Sequence, residues 1–237
     1  MFAQVNEDFK ERVREVDLYF QLLAALDNNE IEAVTGTSPQ IVPVGQTPAE
    51  WGRMLKGAAY LVLYNLVEAF IRRGFQALFE AIQKDKLTGT DLTATLRTQW
   101  IVQRNRSHVK THEGSPKIYM KIASSIIDDI MNNKVAHMDR NYLPFSGNLD
   151  ADEIREVCFK HGISHDTPPA AMAGRELKNV MINRNALSHG SKSFAECGRD
   201  LAAADLIRVK EEIVLFVKAI LNNLENFTVE KKYKAQV

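Results

Sequence analysis

The sequence predicts an all-α fold, a single domain whose expected architecture is a helical bundle. Three observations carry that expectation. Apolar residues recur at helical spacing through most of the 237 residues. No segment alternates apolar and polar residues as a half-buried strand does. Glycine and proline gather in short stretches between long periodic runs, where they punctuate helices. The domain reads as an N-terminal helix and loop over residues 1–50 and a core over residues 51–237.

Each element has its own warrant. Residues 6–31 place Phe9, Val13, Val16, Leu18, Phe20, Leu22, Leu23 and Leu26 close to helical period. The stretch "TGTSPQIVPVGQTPAEW", with three prolines and two glycines, reads as a loop. A long helix follows from about Pro48 to Lys84, apolar almost all round in its middle and therefore expected at the centre of the core. Thr90 or Asp91 offers a cap for a helix running toward Arg104. Residues 105–117 are polar and loop-like, and a short helix is expected around Lys117–Asn133. Asn148 or Asp150 starts a helix that ends at Gly162, since small polar residues favour the first position and glycine the last. Asp166 or Thr167, with Pro168 and Pro169, opens the next helix. A final helix over Ala195 to Lys231 closes the chain.

Bulk composition narrows the class. Hydrophobic residues make up 45% and charged residues 25%, which is ordinary globular usage. Thirty basic and thirty acidic side chains leave no global basic field. The charge is uneven, however: residues 1–50 carry 3 basic and 9 acidic groups, and residues 97–140 carry 8 basic and 4 acidic ones. An anionic partner is therefore expected at the middle of the chain. Two cysteines, Cys158 and Cys197, make no disulfide framework. The start "MFAQVNEDFKERVREV" lacks the apolar core of a secretory leader. The apolar run "GAAYLVLYNLVEAFI" is 15 residues long and contains Asn65 and Glu68, too short and too polar for a membrane span. A reducing cytoplasm is the expected location.

The chemistry concentrates in "ELKNVMINRNALSHG", Glu176 to Gly190. Leu177, Val180, Met181 and Leu187 supply a buried stripe, to which Arg184, Asn185 and His189 add nothing. Arginine followed by four residues and histidine is weak as a pattern, with 14 arginines and 6 histidines in the chain. Its context is better, because Gly190 marks the helix end and leaves His189 in the last turn. On a helix, Arg184 and His189 lie about 7.5 Å apart along the axis and about 140° apart in direction. They converge only if the last turn unwinds or a second copy docks alongside. Arginine offers a forked, permanent donor for phosphate, and histidine exchanges a proton near neutral pH. With no carboxylate cluster nearby, phosphodiester chemistry here would proceed without a divalent metal, which points to RNA and its internal 2′-hydroxyl nucleophile. A dipole-favoured terminal histidine beside a surface arginine is the plain alternative.

"RNALSHG" resembles the signature of the HEPN superfamily. Its order with "LVLYNLVEAFI", "SGNLDADEIREVCFKHGI" and a long last helix ending near "EKKY" is similar to the stand-alone prokaryotic nuclease branch, over roughly residues 57–233. The resemblance implies an all-α HEPN-like bundle, a homodimer with its composite site at the dimer cleft, and metal-independent RNA cleavage without a cofactor. It also implies a toxin or phage-defence role, with an antitoxin or regulatory partner. Carried onto this chain, His189 would be general base or acid, Arg184 would hold the scissile phosphate, and Asn185 would orient it. Glu68 matches a polar core position, where pairing with Arg72 four residues on is expected. Some toxins of the superfamily carry tyrosine two residues after the histidine, as a target for a modifying partner. Ser191 stands there in this chain, so control by that route is not expected. A non-cutting module that binds RNA, a nucleotide or a protein is the alternative function.

Other clusters compete less well. Arg106 and His112 form a second arginine–histidine pair in a stretch that reads as loop. A weaker expectation assigns Arg104, Arg106, Lys110, Lys117 and Lys121 to a basic band gripping RNA backbone. Cys158, His161, His165 and Asp166 lie close in sequence but match structural zinc spacing poorly. No glycine-rich phosphate loop, serine elbow or histidine–glutamate zinc motif occurs. No metal is expected.

Overall fold

The computed structural model describes residues 1–28, 48–109, 116–140, 143 and 145–236. It is a helical bundle: α1 (Phe2–Asp27), α2 (Pro48–Lys84), α3 (Ala94–Val109), α4 (Pro116–Met131), α5 (Ala151–His161), α6 (Glu176–Ser188), α7 (Phe194–Gly198) and α8 (Ala203–Val229). A short 3-10 turn, Pro169–Gly174, precedes α6. The loop expected before Pro48 falls largely outside the described residues.

Helix α2 is the axis of the molecule. Leu63, Leu66, Val67, Phe70, Ile71, Phe75, Leu78 and Phe79 are all buried and point to every side of it. Helices α1, α6, α7 and α8 surround it, so the apolar girdle read from the sequence is satisfied by neighbours. Taken over its whole length, α2 is long and apolar enough to cross a membrane, a wider stretch than the 15-residue run suggests. Half of its most apolar window is buried inside the molecule.

Helix α8 supplies the second wall. Leu206, Val209, Ile213, Phe216, Val217, Ile220 and Leu224 follow the three-and-four spacing of one buried face. Its first free amide, Ala203 N–H, donates to the carboxylate of Asp27 at the end of α1, 3.0 Å away. That same carboxylate pairs with Lys56 of α2 at 2.5 Å, which holds its pKa below the usual range.

Four expected boundaries move, each for a local reason. Helix α1 starts at Phe2, because Phe2 is already buried in the core. Asp91 accepts from Thr88 N–H and caps a turn, and Arg97 donates to the carbonyls of Gly89, Thr90 and Leu92, so α3 begins only at Ala94. Helix α3 then runs through Val109, past the expected stop at Arg104, since no glycine or proline interrupts it before Gly114. The expected last helix is two: Ser193 and Glu196 form a reciprocal cap that starts α7, and Ala202 is extended before α8 begins.

Candidate functional site

Helix α6 does not begin at the prolines. Met172, Ala173 and Gly174 all have positive φ, which breaks the chain before Glu176. Glycine suits the last of these positions, because φ there is +70° and a Cβ would lie 2.7 Å from the Phe216 ring. The guanidinium of Arg155 on α5 donates to the Ala173 carbonyl and ties the kink to that helix. Leu177 and Val180 then bury the inner face of α6. Arg184, Asn185 and His189 follow on its last two turns.

Arg184 is held on three sides. Its guanidinium lies 4.1 Å from the centroid of the Tyr64 ring, a cation–π stack. Nη2 reaches Glu68 Oε2 at 3.5 Å, and Nη1 donates to Asn185 Oδ1 at 2.8 Å. The other oxygen of Glu68 accepts from Arg72 at 3.1 Å. Glu68 therefore sits between two arginines, and the expected pairing with Arg72 is only half of its role. The Arg184 side chain keeps 25% of its surface exposed, so a phosphate can still reach it.

The loop before α5 forms the facing wall. Tyr64 Oη donates to the Gly147 carbonyl at 2.8 Å and accepts from Leu149 N–H at 3.0 Å. Burial raises the pKa of that phenol, so it stays protonated and able to donate. Between the two anchored residues, Asn148 Oδ1 accepts from Asn185 Nδ2 at 2.7 Å. Asp150, rather than Asn148, caps α5, accepting from Glu153 N–H at 2.9 Å. Tyr64 and the Gly147–Leu149 turn escaped the sequence reading as site elements. Both lie inside segments that carry the resemblance, and the four-residue spacing of Tyr64 and Glu68 sets those two on one helix face.

His189 ends the helix at φ −92°, and Gly190 leaves it in the left-handed region at φ +69°. The imidazole is exposed and has no hydrogen-bond partner among the described residues. Solvent, phosphate or a second protein surface can approach it freely.

The remaining expected residues scatter. Arg104 faces inward, donating to Ser125 Oγ at 2.8 Å and Asp129 at 2.7 Å, where it joins α3 to α4. Asp129 is buried and shared with Lys134, while the Arg104 side chain stays 32% exposed. Lys117 and Lys121 are exposed on α4. The Arg106 side chain, Lys110 and His112 lie outside the described residues. His161 is buried, its Nδ1–H donating to the Val157 carbonyl at 2.7 Å and its ring against Phe75 and Phe79. Cys158 is buried too, and that burial pushes its thiol up to about 12. Among the described residues, no three histidine, cysteine or carboxylate side chains gather for a metal ion.

An all-helical bundle that displays arginine, asparagine and histidine on the closing turns of one helix defines a class, and comparison of the chain with family models agrees. The model for MAE_28990-like HEPN domains matches residues 1–233. The chain belongs to that HEPN family. No curated protein and no solved structure gives a significant match.

Proposed function

We propose that this protein is a metal-independent endoribonuclease, acting in the cytoplasm as a toxin or phage-defence effector. The observation that carries the reading is the division of labour on α6. Arg184 is oriented by Tyr64, Glu68 and Asn185, while His189 at the helix end is open. A fixed cation and an exposed imidazole on the last turns of one helix suit a reaction in which charge develops on phosphate as protons move.

In this reading His189 takes the proton of a ribose 2′-hydroxyl, and the 2′-oxygen attacks the adjacent phosphorus. The bond from phosphorus to the 5′-oxygen breaks, and that oxygen receives a proton. The products are a 2′,3′-cyclic phosphate and a 5′-hydroxyl. Arg184 neutralises the phosphorane oxygens, and Asn185 orients them. The carboxylate that touches Arg184, Glu68, already pairs with two arginines. Two copies of the chain, docked with their α6 ends together, would provide one imidazole as base and the partner's as acid.

The internal pair between Arg184 and Glu68 also favours a second reading, a module that binds RNA, a nucleotide or a protein without cutting. Cleavage of a labelled single-stranded RNA in EDTA separates the two. The nuclease reading expects the wild type to cut and His189→Ala to lose at least about 100-fold in rate. Equal RNA binding by both proteins with no cutting by either would favour the binding module.

A further inference from the structure

Asn148 is an exposed residue of the loop before α5, and its amide ends a hydrogen-bond chain whose direction is set from the other end. Arginine has no acceptor atom, so the oxygen of Asn185 must be the group facing Arg184. The nitrogen of Asn185 is then turned to Asn148 and donates to its Oδ1 at 2.7 Å. The two N–H groups of Asn148 Nδ2 are left as donors with no partner among the described residues. The guanidinium thus removes the usual ambiguity in which way each amide points.

The chain begins at a permanent cation, and each bond polarises the next. Its terminal N–H groups are donors biased toward an anion. Their position is also rigid. The residues on either side, Gly147 and Leu149, are both bonded to the hydroxyl of Tyr64, and the ring of Tyr64 carries Arg184. Guanidinium and amide are therefore held by one side chain, as a preorganised pair of phosphate donors requires.

We propose that Asn148 is a substrate-binding residue of this site, its amide N–H groups donating to a non-bridging oxygen of the RNA backbone beside Arg184. The assignment rests on the RNA reading above. Asn148→Asp is the informative variant. It keeps the oxygen that accepts from Asn185 and replaces the donor with an anionic oxygen that repels phosphate. Asn148→Ala removes both groups.

The test compares wild type, Asn148→Ala and Asn148→Asp with a fluorescein-labelled single-stranded RNA of mixed sequence in EDTA. Anisotropy reads affinity, gel analysis reads cutting, and thermal unfolding reads the fold. Asn148→Asp is expected to weaken binding about tenfold or more and Asn148→Ala severalfold, with Asn148→Asp unfolding close to the wild-type temperature. Wild-type affinity in either variant overturns the assignment; should Asn148→Asp fail to fold, Asn148→Ala decides alone. A wild type that neither binds nor cuts RNA overturns the RNA reading, and the Asn148 contact with it. A wild type that binds without cutting overturns only the cleavage step and leaves the comparison of variants in force.

Discussion

Arg184 and His161 illustrate two opposite uses of an ionisable side chain. Arg184 lies near the surface, with an aromatic face, a carboxylate and an amide packed around its guanidinium. His161 is buried between two phenylalanines, with Nε2 lacking a hydrogen-bond partner among the described residues. Burial pushes its pKa down to about 4 from an ordinary 6.5. The unfolded chain therefore binds a proton that the folded chain refuses between those values. Stability is full above about pH 6.5 and falls by about 3 kcal/mol as the pH drops toward 4. Urea unfolding at a series of pH values checks this, with His161→Phe expected to flatten that part of the profile. An unchanged profile in the variant would assign the acid sensitivity to other groups. Of the candidate residues, Arg184, Asn185, His189 and Glu68 were marked in the sequence chiefly by the resemblance of their segments, and Arg72 by its place four residues after Glu68. Tyr64 and Asn148 were not, because they meet across more than 80 residues of chain through a tyrosine hydroxyl bonded to a loop backbone.

At the scale of elements, the contact between α2 and α7 is a backbone contact. A Cβ on Gly198 would lie 1.9 Å from the Arg53 carbonyl oxygen, and one on Gly57 would lie 2.2 Å from that of Phe194. No side-chain rotation relieves an overlap with main chain. Gly198→Ala is expected to push α7 off α2 and to destabilise the protein by about 3 kcal/mol. Denaturant unfolding measures it, and a loss below a few tenths of a kcal/mol would show that α7 yields without resistance. The same contact explains why one expected helix is two. Periodicity continues from Ala195 into α8, but α7 must lie flat on α2, and the chain extends at Ala202 before resuming. Helix α3 erred in the other direction. Polar composition in "NRSHV" reads as loop, yet nothing in those residues stops a helix already under way. Types and order of the long helices were legible because their apolar stripes are strong. Their ends depended on tertiary contacts that no local pattern carries.

For the whole molecule, the all-α class and the central place of α2 follow from hydrophobic pattern; the family match over residues 1–233 accords with the first, and the packing of four helices around α2 with the second. The α6 end that carries Arg184 and His189 faces outward from this core. The proposed reaction makes a strict demand on the substrate, because the nucleophile belongs to the RNA and not to the protein. The decisive assay compares a single-stranded RNA with a copy bearing one 2′-deoxyribose at a mapped cleavage position, both in EDTA. The RNA is expected to be cut with 2′,3′-cyclic phosphate ends, and the copy not to be cut at the altered position. Equal cutting of both at that position, or 5′-phosphate products, would contradict it.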